Sequence, residues 1–124
     1  MRGGKHGPNY YRENINNLRE CLKQRMLPEN CFVDFSHGNS EKQFKKQLLV
    51  CDSVCQQIKT SEFIKGVMIE SNLCEGNQLI TDTPLKKGVS VTDGCVGLVD
   101  SKLILEKLHE AQIVIQNYLS SQNI

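Results

Sequence analysis

With 15 Lys+Arg against 14 Asp+Glu, a formal net charge of +1 over 124 residues, this chain has no charge surplus with which to hold nucleic acid or an anionic membrane surface. A hydrophobic share of 39% suits one domain with an ordinary core, and no apolar run approaches the ~20 residues of a spanning helix. No signal-peptide pattern opens the chain, so the expectation is a soluble, cytoplasmic protein that binds neither nucleic acid nor membrane.

The opening, "MRGGKHGPNYY", places Gly3-Gly4 at a tight bend between Arg2 and Lys5. Glycine pairs serve such bends because they tolerate backbone angles other residues avoid. Two cations around the bend suit a carboxylate or phosphate clamp, although the spacing is not that of a P-loop. A first helix is predicted from Arg12 to Arg25, with Ile15, Leu18 and Leu22 on one side and Pro28 beyond its end. "CFVDFS" follows as a first strand. A second helix is expected to begin at "SEKQ", with Ser40 and Gln43 as a capping box. Its apolar face would be Phe44, Leu48, Cys51, Cys55 and Ile58. "FIKGVMIES" reads as a second strand. Neither apolar run alternates cleanly, the pattern of strands buried on both faces. After a long connection, "VSVTDGC" is a third strand candidate. The last helix follows Asp100-Ser101 and carries Ile104, Leu108, Ala111, Ile115 and Leu119, running almost to the polar "SSQNI" tail. This order reads as α/β with a parallel sheet.

The six cysteines, Cys21, Cys31, Cys51, Cys55, Cys74 and Cys95, are read as reduced thiols packed among apolar neighbours. Cys51 and Cys55, four apart, share one helix face. The chemistry lies elsewhere, at the strand ends, where parallel α/β folds collect their functional groups. One strand ends in Ser36-His37, the next in Glu70-Ser71, and the third in Thr92-Asp93. A His, a Glu and an Asp delivered by three successive strands can meet at one divalent metal, and that donor set suits Mn, Fe, Co or Zn better than Ca. Each residue also has a plain structural explanation, as a helix cap or a hydrogen-bonded histidine. His109, mid-helix, and His6, in the opening segment, add no independent signal.

In chain order, "RGGKHGPNY", "DFSHGNSEKQFKKQ", "GVMIESNLCEGNQ" and "GVSVTDGCVG" closely resemble the C-terminal half of the feedback-regulated microbial 3-deoxy-D-arabino-heptulosonate 7-phosphate (DAHP) synthases. The resemblance covers nearly the whole chain. It implies a (β/α)8 TIM barrel, of which residues 1–124 would supply about three to four βα units, incomplete as a barrel. It further implies a metal-dependent condensation of phosphoenolpyruvate with erythrose 4-phosphate in the shikimate pathway. Carried over by position, His37, Glu70 and Asp93 become metal ligands, and Arg2 and His37 contact phosphoenolpyruvate. His37 and Asp93 become the catalytic pair, with Asp93 near the aldehyde. The family's fourth ligand, a cysteine, and the remaining phosphate-binding cations belong to the half that this chain does not match. A complete barrel takes about 250 residues. The chain is therefore expected to be inactive alone, with a separate N-terminal half or a homo-oligomer as protein partner. An inactive remnant and a module that docks on a complete synthase stay open as alternatives. Leu98-Val99 stands where the family has Trp-Glu, and Asn72 where many members have His.

Overall fold

A computed structural model describes residues 1–122; the last two residues of the "SSQNI" tail lie outside the described residues. The architecture is a small α/β layer. Helix α1 (Arg12–Gln24) leads to β1 (Cys31–Asp34), α2 (Gln47–Ile58), β2 (Ile64–Met68) and α3 (Leu98–Gln122), with a short 3₁₀ turn at Phe44–Lys46 ahead of α2. Strands β1 and β2 pair in parallel, Phe32 opposite Gly66 and Asp34 opposite Met68. A parallel pair needs a crossover, and α2 supplies it. Met1 adds a single residue to the other edge of β1: its amino nitrogen donates to the Phe32 carbonyl at 2.8 Å, and the Asp34 N–H donates to its carbonyl at 2.8 Å.

The core forms where one face of the two strands meets the helices. Cys31, Val33 and Phe35 point into it, joined by Ile15 of α1, Val50, Cys51, Val54 and Cys55 of α2, and Ile104 and Ala111 of α3. Ile104, Ala111 and Ile115 are the buried residues of α3, at helical spacing, with Leu108 packed beside them. Cys51 and Cys55 do share one face, their sulfurs 3.7 Å apart. All six cysteines are free thiols, and only Cys21 and Cys74 are exposed.

Four expectations are corrected. The strands are not buried on both faces: Phe32, on the face away from the helices, is 64% exposed, because among the described residues no element covers that side. Phe32 instead lies over Gly66, where an added Cβ would sit 2.3 Å from its ring. Ser40 caps no helix. It is fully buried in the turn after β1, and α2 begins only at Gln47, preceded by the 3₁₀ turn. Helix α3 starts at Leu98, before Asp100-Ser101; the Ser101 hydroxyl bonds back to the Gly97 carbonyl at 2.8 Å, and Leu98 and Val99 both face outward.

The third strand candidate, finally, forms no strand. Residues 90–96 make isolated bridges to residues 71–77, parallel at Ser71–Val96 and Asn77–Ser90 and antiparallel at Gly76–Cys95. Side chains here compete for the backbone: the Ser90 hydroxyl accepts the Thr92 N–H at 3.1 Å, and the Cys95 thiol reaches the Asp93 carbonyl at 3.5 Å.

Candidate metal centre

The turn leaving β1 carries the first site residue. Asp34, on the open face of the strand, accepts the Ser36 N–H through Oδ1 at 2.8 Å. Its other oxygen, Oδ2, lies 2.7 Å from Nδ1 of His37. A carboxylate offers only acceptors, so the Asp34 contact places a proton on Nδ1, and in the neutral ring Nε2 then carries the lone pair. His37 adopts a left-handed backbone, φ +47°. An L-residue reaches that conformation at a cost of about 1 kcal/mol or more, and such residues gather at functional sites.

Glu70 follows β2 on the same open face, and Asp93 comes back on the long connection. Nε2 of His37 lies 3.4 Å from Oδ2 of Asp93 and 3.8 Å from Oε1 of Glu70. One donor atom from each of the three lies within 4.8 Å of the others. Two carboxylates turned toward one ring nitrogen gather negative charge that a bound cation would neutralise. Around a cation with bonds of about 2.1 Å, adjacent donors sit about 3 to 3.5 Å apart; the His37–Asp93 pair, at 3.4 Å, already has that spacing, and Glu70 would close in to join it. Imidazole with two carboxylates fits Mn, Fe, Co or Zn. Burial falls off across the trio: side-chain exposure is 22% for His37, 30% for Glu70 and 55% for Asp93.

Arg2 is not part of this cluster, and its side chain is exposed. Its backbone is nevertheless fixed to the His37 turn. Gly3, at φ +79°, packs so closely on Gly38 that a Cβ would sit 2.4 Å from the Gly38 carbonyl carbon. Asn39, 2% exposed, binds both segments. Its amide nitrogen donates to the carbonyls of Asp34 at 2.7 Å and Met1 at 3.2 Å, while its oxygen accepts the Asn9 N–H at 2.8 Å. The Asn9 side chain in turn accepts the Gly3 N–H at 2.8 Å. The expected bend at Gly3-Gly4 is present, closed by paired Gly4 and Gly7 hydrogen bonds of 3.0 Å. Lys5 is exposed at its tip, and His6 and His109 stand apart on the surface.

Sequence reasoning missed Asp34 and Asn39. Asp34 occupies the strand position two before Ser36, on the same face, and that register was a usable signal. Asn39 offered none, because a buried asparagine in a turn looks like any polar loop residue.

The chain is similar to known proteins. The model of the DAHP synthetase I family matches residues 1–106. The Phe-sensitive phospho-2-dehydro-3-deoxyheptonate aldolase of Escherichia coli K12 is 49% identical over 113 residues, 90% of this chain and 32% of that protein. The Trp-sensitive enzyme of the same name from Salmonella typhimurium is 50% identical over the same shares. The solved structure of phospho-2-dehydro-3-deoxyheptonate aldolase from Francisella tularensis SCHU S4 superposes with a TM-score of 0.90 at 46% identity, covering 92% of this chain and 33% of that one. The chain thus spans about a third of the length of these relatives. A family match over most of its residues, together with near-half identity to these enzymes, makes the chain a member of the DAHP synthetase I family.

Proposed function

We propose that residues 1–124 are the metal-bearing C-terminal part of a (β/α)8 barrel that condenses phosphoenolpyruvate with erythrose 4-phosphate to DAHP and releases phosphate. One observation carries this reading. His37, Glu70 and Asp93, drawn from three separated segments, converge within 4.8 Å on a chain whose relatives are enzymes of that name.

In this reading His37, Glu70 and Asp93 hold a divalent cation. When bound, the cation supplies Lewis-acid activation of the aldehyde or of a water. Asp34 keeps the His37 proton on Nδ1 so that Nε2 stays a donor. Arg2 offers its planar fork to the carboxylate of phosphoenolpyruvate, on a backbone that Gly3, Gly38 and Asn39 tie to the His37 turn. His37 lies beside the same substrate. Asp93, the most open of the three, faces the aldehyde and is free to adjust as it arrives. The fourth metal ligand, a cysteine, and the other phosphate-binding cations come from the N-terminal part of the barrel, which this chain does not match.

The test is complementation. Purified chain is assayed with both substrates and Mn(II), alone and mixed with the N-terminal portion of the E. coli Phe-sensitive relative. Product only in the mixture supports the reading. A folded mixture that makes no product contradicts it and leaves an inactive remnant or a docking module.

A further inference from the structure

We infer that Gln47, the first residue of α2, is a positioning residue for the metal ligand Glu70; the inference rests on the metal reading above. Gln47 is 0% exposed, an unusual place for a primary amide, whose desolvation is costly unless its polar atoms are paired. Here both are paired, and with one peptide position. Nε2 of Gln47 donates to the Glu70 carbonyl at 2.9 Å, and Oε1 of Gln47 accepts the Glu70 N–H at 3.0 Å.

That is the hydrogen-bond pair a single residue of an antiparallel strand would supply. Glu70 lies beyond the end of β2, past the last ladder pair at Asp34–Met68, so no backbone of β1 reaches it. On its other side the Glu70 carbonyl also accepts the Val96 N–H at 3.0 Å. The amide of Gln47 therefore extends the sheet by one residue through a side chain and fixes the φ/ψ of Glu70, from which its carboxylate projects toward His37. The amide is itself held rigidly, because it springs from the first turn of a helix whose Val50, Cys51 and Val54 are fully buried. A helix start thereby sets the position of a ligand 23 residues away.

Two readouts on the full chain test this. The first is amide hydrogen exchange at the Glu70 N–H; the second is a Co(II) titration followed by visible absorption. In Gln47→Leu, close in volume but without the amide, exchange at Glu70 should quicken tenfold or more, while amides inside α2 and β2 keep their protection. Co(II) affinity should fall about tenfold or further, as for other residues that orient a ligand. Gln47→Asn, one methylene too short, should follow it and replaces it if the Leu variant folds poorly. Val54→Ala, a core truncation away from Glu70, should lower the melting temperature and leave Co(II) affinity unchanged. Unaltered exchange at Glu70, or exchange that quickens with no change in Co(II) affinity, overturns the positioning role. A parent chain that takes up no Co(II) overturns the metal reading instead, and the exchange result still decides what Gln47 does to Glu70.

Discussion

Residues 31–68 and residues 69–97 meet at the same three side chains, His37, Glu70 and Asp93, but are held by different forces. The first stretch is an α/β unit whose Cys31, Val33, Phe35, Val50, Cys51, Val54, Cys55, Phe63 and Ile64 are all buried. The second buries only Cys95 and Val96 among its apolar side chains and leaves Leu73, Leu79, Ile80, Leu85 and Val91 at the surface. It is held by polar contacts. Lys45 reaches both Glu75 and, at 2.9 Å, Asp100, the Asn77 amide donates to the Thr92 carbonyl at 3.1 Å, and the Gln78 amide spans the carbonyls of Lys86 and Val89 at 2.8 and 3.0 Å. The site is thus fixed on one side and adjustable on the other. His37 stands on the packed unit, Glu70 at the junction, and Asp93 on the polar connection.

Four substitutions or measurements would break or sharpen that contrast. The largest effect should come from Phe35→Ala, which empties a fully buried site and should cost about 3–5 kcal/mol in denaturant unfolding. Ile80→Ala in the connection, at a 72% exposed position, should change stability by no more than ~0.5 kcal/mol. Equal losses at the two positions would abolish the distinction. Next is the left-handed His37. His37→Gly should be more stable than His37→Ala by about 1 kcal/mol, with metal binding lost in both; if Ala is the more stable, the turn is not strained.

A subtler effect is expected at the ion-pair link. Lys45→Gln should speed amide exchange across residues 70–97 and leave α2 and β2 as protected as before. Exchange that rises everywhere would mean the two regions unfold as one. The mildest probe is chemical. Of the six thiols, Cys21 and Cys74 should react promptly with a disulfide reagent. Cys31, Cys51 and Cys95 should wait for unfolding, because burial pushes their thiols up from the usual range. For Cys51 the hydrogen bond it shares with Cys55 raises it further than burial does. The Cys55 partner of that pair is shifted down but is only 5% exposed, and should wait as well.

What could be read from the sequence follows the same division. The helices were legible because their apolar residues recur at helical spacing and end up packed: Ile15 on α1, Cys51 and Cys55 on α2, Ile104, Ala111 and Ile115 on α3. Both strands of the packed unit were legible as apolar runs. "VSVTDGC" has the composition of a strand, but a strand is defined by its partner, and the Ser90 hydroxyl and Cys95 thiol bond local backbone instead. His37 and Glu70 were legible because each follows a strand, whereas Asp93 follows none and was legible only from its residue type and spacing. The residues that aim the trio were not. Asp34, Asn39 and Gln47 are polar side chains that become buried only when two segments close on them, and nothing in local composition marks that event. Ser40 shows the converse: a capping pattern in sequence, used in the fold to fill a turn.

The central claim is that His37, Glu70 and Asp93 of this chain hold one metal ion. Titration with Mn(II), followed by the loss of the free-ion paramagnetic resonance signal, tests it most directly in the parent chain and in His37→Ala, Glu70→Gln and Asp93→Asn. The account expects one saturable site in the parent, abolished by His37→Ala and Glu70→Gln and weakened by Asp93→Asn, the most exposed ligand. Uptake that is unchanged in all three variants, or no saturable uptake by a folded parent chain, would contradict it.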